Sequence, residues 1–361
     1  LAWQGFEYNI PLRGDLLVIL ATERQSCGGF ILIIVTGGAG FIGSNIVKAL
    51  NEAGEDDILI VDRLGTGNKW KNLVGLRYSD YEHKDDFLAK LEQGVFDHGV
   101  WAIFHFGACS STMEKDADYL MANNFRFSTR LAMRFAAKKG VRFIYASSAA
   151  TYGDGSRGYT DSEEELQSLQ PLNMYGYSKH LFDIWSLKSG FLKHAVGLKF
   201  FNVFGPNEYH KGDMRSVAIR AYIQARRSAN IRLFKSYRPE YRNGEQSRDF
   251  IYVKDAARIA LHFLERPDVN GIFNAGTGTP RTFNDLAHAV FAAIGVPPSI
   301  EYIDMPEGLE KRYQYHTCAD TTKLRGAGFD ADFLSLEDAV RDYVVNYLDR
   351  HFSDSGEDEE S

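Results

Sequence analysis

Between Ile31 and Gly43 the chain reads Ile-Leu-Ile-Ile-Val-Thr-Gly-Gly-Ala-Gly-Phe-Ile-Gly, a β-branched run that enters a glycine-punctuated turn and continues as an apolar-periodic helix. This pattern demands a buried strand, a tight turn at Gly37, an open approach for an anion to backbone N–H groups at Gly40, and close helix-on-strand packing at Gly43. The helix, from Phe41 to about Ala53, directs its N-terminal dipole at a phosphate. A second strand, Ile58 to Asp62, ends in the acidic residue that such cradles place against a ribose. Three glycines alone are a weak signal; between these two strands they specify a dinucleotide-binding unit.

The same alternation continues. Strands are expected at Ile31 to Thr36, Ile58 to Asp62, Ala102 to Phe106, Arg142 to Ser147 and Ala195 to Phe200, with helices between them, which is the signature of a doubly wound parallel α/β (Rossmann) sheet. Residues 31–205 should form this domain. Residues 206–350 should form a smaller, mixed α/β substrate-binding domain with segments that return to the first. Its expected elements are helices at Met214 to Ala229, Asp255 to Glu265, Phe283 to Ile294 and Leu336 to Tyr347, and strands around Ile231 to Phe234 and Phe250 to Val253. Leu16 to Ala21 is a short apolar stretch that lacks a basic n-region, so no secretory signal is expected, and residues 1–30 read as a vector remnant, an over-extended reading frame or an unstructured arm. The acidic stretch 351–361 reads as a disordered tail.

With 361 residues and 44% hydrophobic content the chain can bury a large core, and a formal charge of -7 argues against a nucleic-acid partner. No apolar run is long enough to span a bilayer. Cys27, Cys109 and Cys318 are odd in number and lack metal-ligand spacing, so no metal site and no disulfide framework is expected, and a reducing, cytoplasmic setting fits. Nine cations from Arg215 to Arg248 make the second half locally basic. Arg226 and Arg227 read as a solvated helix face. The others suit a small anionic ligand such as a diphosphate.

Tyr175-Gly176-Tyr177-Ser178-Lys179 opens an expected helix and places Tyr175 and Lys179 on one face, at i and i+4. A phenol with a pKa of about 10 cannot serve as a base at neutral pH unless a nearby cation favours its phenolate. Lys179 can supply that field and also reach a cofactor ribose. Ser148, at the end of the fourth strand, would hydrogen-bond the reacting oxygen. Tyr-x-x-x-Lys is common by chance, and its weight here comes from following the glycine cradle with Ser147-Ser148-Ala149-Ala150-Thr151-Tyr152-Gly153 between them.

Together with Asn202-Val203-Phe204-Gly205-Pro206, these motifs resemble the extended short-chain dehydrogenase/reductase superfamily. Phe41 to Asn51, His105-Phe106-Gly107-Ala108-Cys109-Ser110-Ser111-Thr112, His210-Lys211-Gly212 and Arg312-Tyr313-Gln314 narrow the resemblance, over Ile31 to about Leu348, to the ADP-glyceromanno-heptose 6-epimerases. The resemblance implies a homo-oligomeric isomerase of bacterial lipopolysaccharide precursor synthesis acting on an ADP-heptose. Its reaction inverts C6'' through a transient ketone, with one tightly bound NADP per subunit that takes hydride and returns it. The chemistry is consistent with that requirement: a C–H beside no carbonyl is too weakly acidic for a side-chain base, so inversion needs hydride removal. Two protonic groups are then wanted. Tyr175 is one, and by resemblance Lys211 is the second.

The resemblance further implies a cofactor groove made by Gly37, Gly40, Phe41, Ile42, Gly43, Asp62, Arg63, Lys69, Lys84, Phe106, Gly107, Ala108, Cys109, Ser110, Asn123, Lys179, Val203 and Lys211, with Asn123 pinning backbone. Asp62 favours NAD, whereas Arg63, Lys69 and Lys84 favour the 2'-phosphate of NADP. NADP is the expectation and NAD the alternative. Substrate contacts are implied at Asn202, Phe234, Lys235, Ser236, Tyr237, Arg248 and Tyr313, with Arg248 on the diphosphate, and at Asp213 and Arg220. The pattern departs at Asn207, Asp213, Arg220 and Phe106, and around Arg238 to Gln246. Rival readings are a UDP-sugar 4-epimerase, a 4,6-dehydratase, which Ala149-Ala150 disfavours for want of carboxylates, and a non-catalytic dinucleotide-binding module.

Overall fold

The structure is a computed structural model that describes residues 31–136, 140–308, 310 and 313–355. The arm 1–30, Arg312 and residues 356–361 lie outside the described residues. The first six strands are β1 (Leu32–Thr36), β2 (Ile58–Asp62), β3 (Asp80–His83), β4 (Val100–His105), β5 (Arg142–Ser148) and β6 (Ala195–Phe200). Beyond them come β7 (Asn202–Phe204), β8 (Ile231–Phe234), β9 (Ser247–Arg248), β10 (Phe250–Tyr252), β11 (Gly271–Ala275), β12 (Arg281–Thr282) and β13 (Ile300–Ile303). Seven form one sheet in the order β11-β6-β5-β4-β1-β2-β3. Every pairing in it is parallel, with registers such as Ile33 against Ile58 and Phe143 against Ala195.

Alternate residues of the central strands bury on opposite faces, as a doubly covered sheet requires. Ile33, Val35, Ile58 and Ile60 pack with the helices Phe41–Glu52 and Val253–Leu264. Ile34, Leu59, Val61 and Ile103 pack with Leu131 and Phe182 from the helices Phe127–Ala136 and Met174–Lys188. Each such fully buried side chain is worth about 1.5–3 kcal/mol. A third cluster, including Ile219, Tyr222, Leu233, Val290 and Tyr343, forms a separate core for the second lobe.

Strand order reverses between β1 and β4, which opens a crevice at their C-terminal ends, where α/β sheets bind ligands. Two strands of the seven-stranded sheet escape sequence reading for physical reasons. β3 is a short polar edge, Asp-Tyr-Glu-His, without a buried face. β11 is fully buried, but begins at a glycine with φ 123° and contains Asn274, which hides its apolar character. The helix Asp349–Ser355 extends through the first residues of the expected acidic tail. Likewise the expected helix Leu336 to Tyr347 is regular only to Tyr343, and Val344–Leu348 takes the wider π form.

Candidate active site

At the crevice Gly37 adopts φ 71°, and a Cβ there would lie 2.7 Å from the backbone nitrogen of Gly107. At Gly43 a Cβ would meet the carbonyl oxygen of Gly37 at 2.1 Å. Any larger residue would collide with backbone, so these glycines are what let the turn pack against the β4 loop and the helix against the turn. The turn opens into a cleft of about 660 Å³ lined by Gly37, Gly40, Phe41, Ile42, Gly43, Phe106 to Ser110, Ser148, Tyr175, Lys179, Asn202, Val203 and Lys211, among others. A smaller recess of about 150 Å³ adjoins it, lined by Asp62, Arg63, Lys69, Lys84, Asn123 and Tyr119.

Asp62 is already spoken for. Its Oδ2 accepts from the Ala39 N–H at 2.9 Å, and its Oδ1 accepts from the Arg63 N–H at 2.7 Å and from Lys69 Nζ at 2.5 Å. The carboxylate therefore shapes the glycine turn and, where it lines the recess, is paired with Lys69. Lys84 donates to Asp85 at 2.8 Å.

Tyr175 and Lys179 lie on the helix Met174–Lys188, whose N-cap Asn173 accepts from the Gly176 N–H at 2.8 Å. Burial raises the Tyr175 phenol above its ordinary value, and its hydrogen bond with Ser148 pulls the other way. Lys179 Nζ donates to the Ala146 carbonyl at 2.8 Å, and burial pushes its pKa down to about 8 against the field of Asp183. Beneath this wall lies a buried network that sequence reading missed. Asp183 Oδ2 accepts from Ser147 Oγ at 2.7 Å and from Lys199 Nζ at 2.8 Å, and Lys199 also donates to Thr151 Oγ1 at 2.6 Å. Ser147 and Thr151 flank Ser148, so the ion pair fixes the segment that carries it; an acidic residue one turn after Lys179 was the available signal.

The wall from the second lobe is a 3₁₀ segment, Tyr209–Met214, carrying Lys211. Burial lowers the Lys211 pKa while Glu208 raises it, and its Nζ lies 5.3 Å from the centroid of the Phe41 ring. Glu208, unforeseen, is buried and lines the cleft. It accepts from the Gly205 N–H at 3.2 Å, Ser216 Oγ at 2.7 Å and Tyr343 Oη at 3.1 Å, closing the loop that carries Lys211.

Other residues divide. Asn123 lines the recess, but the pinning assigned to it belongs to Asn124. Asn124 Oδ1 accepts from the Cys109 N–H at 2.8 Å, and its Nδ2 donates to the Cys109 carbonyl at 2.9 Å and to Ser178 Oγ at 3.0 Å. The two residues sit in a π-helical turn, Met121–Arg126, whose wider spacing defeats i, i+4 reasoning. Asp213 and Arg220 are exposed and do not line the cleft; Arg215 and Ser216 do. The cause is local: Gly212 kinks the segment at φ 51°, and Arg220 falls on the outer face of the helix Val217–Ser228.

Phe234, Lys235, Ser236, Tyr237, Arg248 and Tyr313 form a second group outside the cleft lining. Arg248 is buried, its guanidinium 5.2 Å from the Tyr313 ring centroid and donating to the Gln314 carbonyl at 2.5 Å. Phe234 meets Tyr313 edge-on at 6.3 Å. Lys235 Nζ and Tyr237 Oη both turn to Asp304, at 3.1 and 3.0 Å. Among the described residues no group of three or more His, Cys, Asp or Glu side chains could hold a metal, and no helix is long and apolar enough to cross a membrane.

The family model described as "NAD dependent epimerase/dehydratase family" matches residues 33–276. The chain belongs to this family. Relatives of this epimerase/dehydratase named ADP-L-glycero-D-manno-heptose-6-epimerase include one from Nitratidesulfovibrio vulgaris strain DP4, 55% identical over 317 residues and covering 88% of this chain and 98% of its own length. One from Fusobacterium nucleatum is 48% identical over 326 residues, with 88% and 98% covered. Among solved structures, a UDP-N-acetylglucosamine 4-epimerase from Methanobrevibacter ruminantium superimposes with a TM-score of 0.74 at 26% identity, covering 89% of this chain and 99% of its own. The Helicobacter pylori ADP-L-glycero-D-manno-heptose-6-epimerase matches this epimerase/dehydratase in fold, with a TM-score of 0.74 at 24% identity and 92% and 97% covered. A nicotinamide dinucleotide is the family's cofactor, and the tight glycine turn lines the cleft where its pyrophosphate would lie.

Proposed function

We propose that this chain inverts C6'' of ADP-D-glycero-D-manno-heptose to give the L-glycero epimer, using a bound NADP. The observation that carries the reading is that Tyr175 and Lys211, protonatable side chains from different lobes, line the same cleft as the glycine turn. A bound nicotinamide supplies reversible hydride acceptance, which an unactivated carbinol carbon requires. Tyr175, as its phenolate, takes the O–H proton of one epimer as hydride leaves the carbinol carbon, and Ser148 holds the reacting oxygen beside the phenol. Lys211 serves the hydroxyl presented in the other orientation; burial holds its ammonium closer to neutrality than that of an exposed lysine, which suits proton exchange. Asn202 lines the cleft beside them, and Arg248 with Tyr313 is assigned to the nucleotide diphosphate.

NADP is preferred to NAD because Lys69 pairs with Asp62 and offsets the charge that would repel a 2'-phosphate, while Arg63 and Lys84 line the same recess. A cytoplasmic homo-oligomer accompanies the reading, as the resemblance implies. The test is incubation of the purified protein with ADP-D-glycero-D-manno-heptose, without added cofactor, followed by chromatographic separation of the epimers. The L-glycero product is expected, and UDP-glucose under the same conditions should return no UDP-galactose. No heptose epimer, or efficient UDP-glucose turnover, overturns the assignment; mass analysis of the nucleotide released on denaturation distinguishes NADP from NAD.

A further inference from the structure

The short 3₁₀ helix Asn68–Leu73 is used by nothing in the reading above except Lys69. In a 3₁₀ helix side chains at i and i+3 eclipse, so Lys69 and Asn72 project from one edge. Both act on the glycine turn. Lys69 holds Asp62, whose Oδ2 accepts from the Ala39 N–H, and Asn72 Nδ2 donates to the Ala39 carbonyl at 3.0 Å. Of the two polar groups of Ala39, in the middle of the dinucleotide cradle, the carbonyl is held by this element directly and the N–H through Asp62.

Asn72 also reaches across to the other lobe. The same Nδ2 donates to the Asn207 carbonyl at 3.0 Å and lies 3.2 Å from His210 Nδ1. His210 immediately precedes Lys211. Asn207 stands in the left-handed region at φ 75°, a conformation asparagine tolerates better than most residues, and its own amide donates to Ser44 Oγ at 3.0 Å on the helix that follows the turn. Asn45 adds a third stitch, its Nδ2 lying 2.9 Å from both the Phe41 and the Pro206 carbonyls. Asn72 is almost fully buried, so these carbonyls have little water to turn to if its amide is removed.

We infer that Asn72 is a positioning residue that couples the dinucleotide cradle to the Lys211 loop, so that the turn closing around a bound dinucleotide also sets the loop that carries Lys211. The inference extends the proposed function, which uses Lys211, but its principal test needs no substrate. Hydrogen–deuterium exchange is measured on the wild-type protein and on Asn72→Ala, each stripped of nucleotide and then reloaded with NADP. The wild type should gain protection at both 37–43 and 207–216. Asn72→Ala should keep the first and lose the second. Protection at both segments in the variant overturns the inference. So does loss at both, since Asn72 would then be only part of the cradle.

A second measurement holds should Asn72→Ala fold poorly. Asn72→Asp keeps the size but cannot donate to either carbonyl, and its kcat should fall about 10- to 100-fold with the substrate KM unchanged. Combined with Lys211→Ala, it should lose no more than Lys211→Ala alone. Multiplicative losses, or an unchanged kcat, contradict the coupling. Failure of the heptose assignment would show as absent epimer in the wild type, with the exchange result unaffected.

Discussion

The two walls of the cleft are built on different terms. The sheet-side wall, from Gly37 to Lys179, hangs from strands whose ends are fixed by the parallel ladder, and its functional side chains fall in short local patterns. The second-lobe wall, from Glu208 to Ser216, is a kinked 3₁₀ segment held by single side chains reaching in from distant elements: Glu208 to Tyr343, Asn72 to Asn207, and Tyr209 stacked on His351 with ring centroids 4.0 Å apart. A ladder places a residue whatever the outer loops do. A stitched loop places its residue only while the stitches hold, so Lys211 is held more adjustably than Tyr175.

That contrast can be broken outright at the cradle. Gly43→Ala puts a methyl 2.1 Å from the Gly37 carbonyl oxygen, where only backbone movement can relieve it. The variant should purify without bound dinucleotide and without activity, read from absorbance and released nucleotide. A variant that retained its cofactor would remove the basis for calling this wall rigid. Next in size, Tyr175→Phe should lower kcat about 10²- to 10⁴-fold with nucleotide content unchanged, because it removes a proton-transfer group and leaves the packing. Lys211→Ala should cost about 10²-fold. Equal activity in Lys211→Ala and wild type would mean that the second wall carries no chemistry, and would favour a 4-epimerase type of site.

The smallest expected effect is in pH dependence. The Lys179 ammonium is depressed by burial to about 8, opposed by Asp183 and Cys109, so its charge is present below that value and lost above it. The proposed hold on the cofactor ribose needs the protonated form, so kcat/KM should decline as pH rises through about 8. Asp183→Asn removes a carboxylate that favours the ammonium, and should move the decline to lower pH. A profile unmoved by that substitution would detach Lys179 from the alkaline change.

The same contrast explains what could be read from the chain alone. β1, β2, β5 and β6 were legible because continuous apolar runs are what a sheet buried on both faces requires, and Gly37, Gly40 and Gly43 because backbone geometry admits little else there. Tyr175, Lys179 and Ser148 were legible because a helix start and a strand end set them locally. Asn123 and Arg220 came from the resemblance alone, which carries no local geometry: the backbone of Cys109 is held by the neighbouring Asn124, and Arg220 lies on the exposed face of its helix beyond the kink at Gly212. Glu208, Asn72 and Lys199 carry no pattern in sequence; their importance comes from partners far away in the chain, such as Tyr343 for Glu208 and Ala39 for Asn72. The cationic group Lys235, Arg248 and its neighbours was visible as composition, but only the structure shows Lys235 turned to Asp304.

The central claim is that the hydrogen removed from the sugar carbon never mixes with water. ADP-D-glycero-D-manno-heptose deuterated at C6'' should be converted in unlabelled water to an L-glycero product that retains its deuterium, measured by mass spectrometry and NMR. Replacement of that deuterium by solvent hydrogen in step with turnover would mean proton abstraction rather than hydride removal, and would contradict the account.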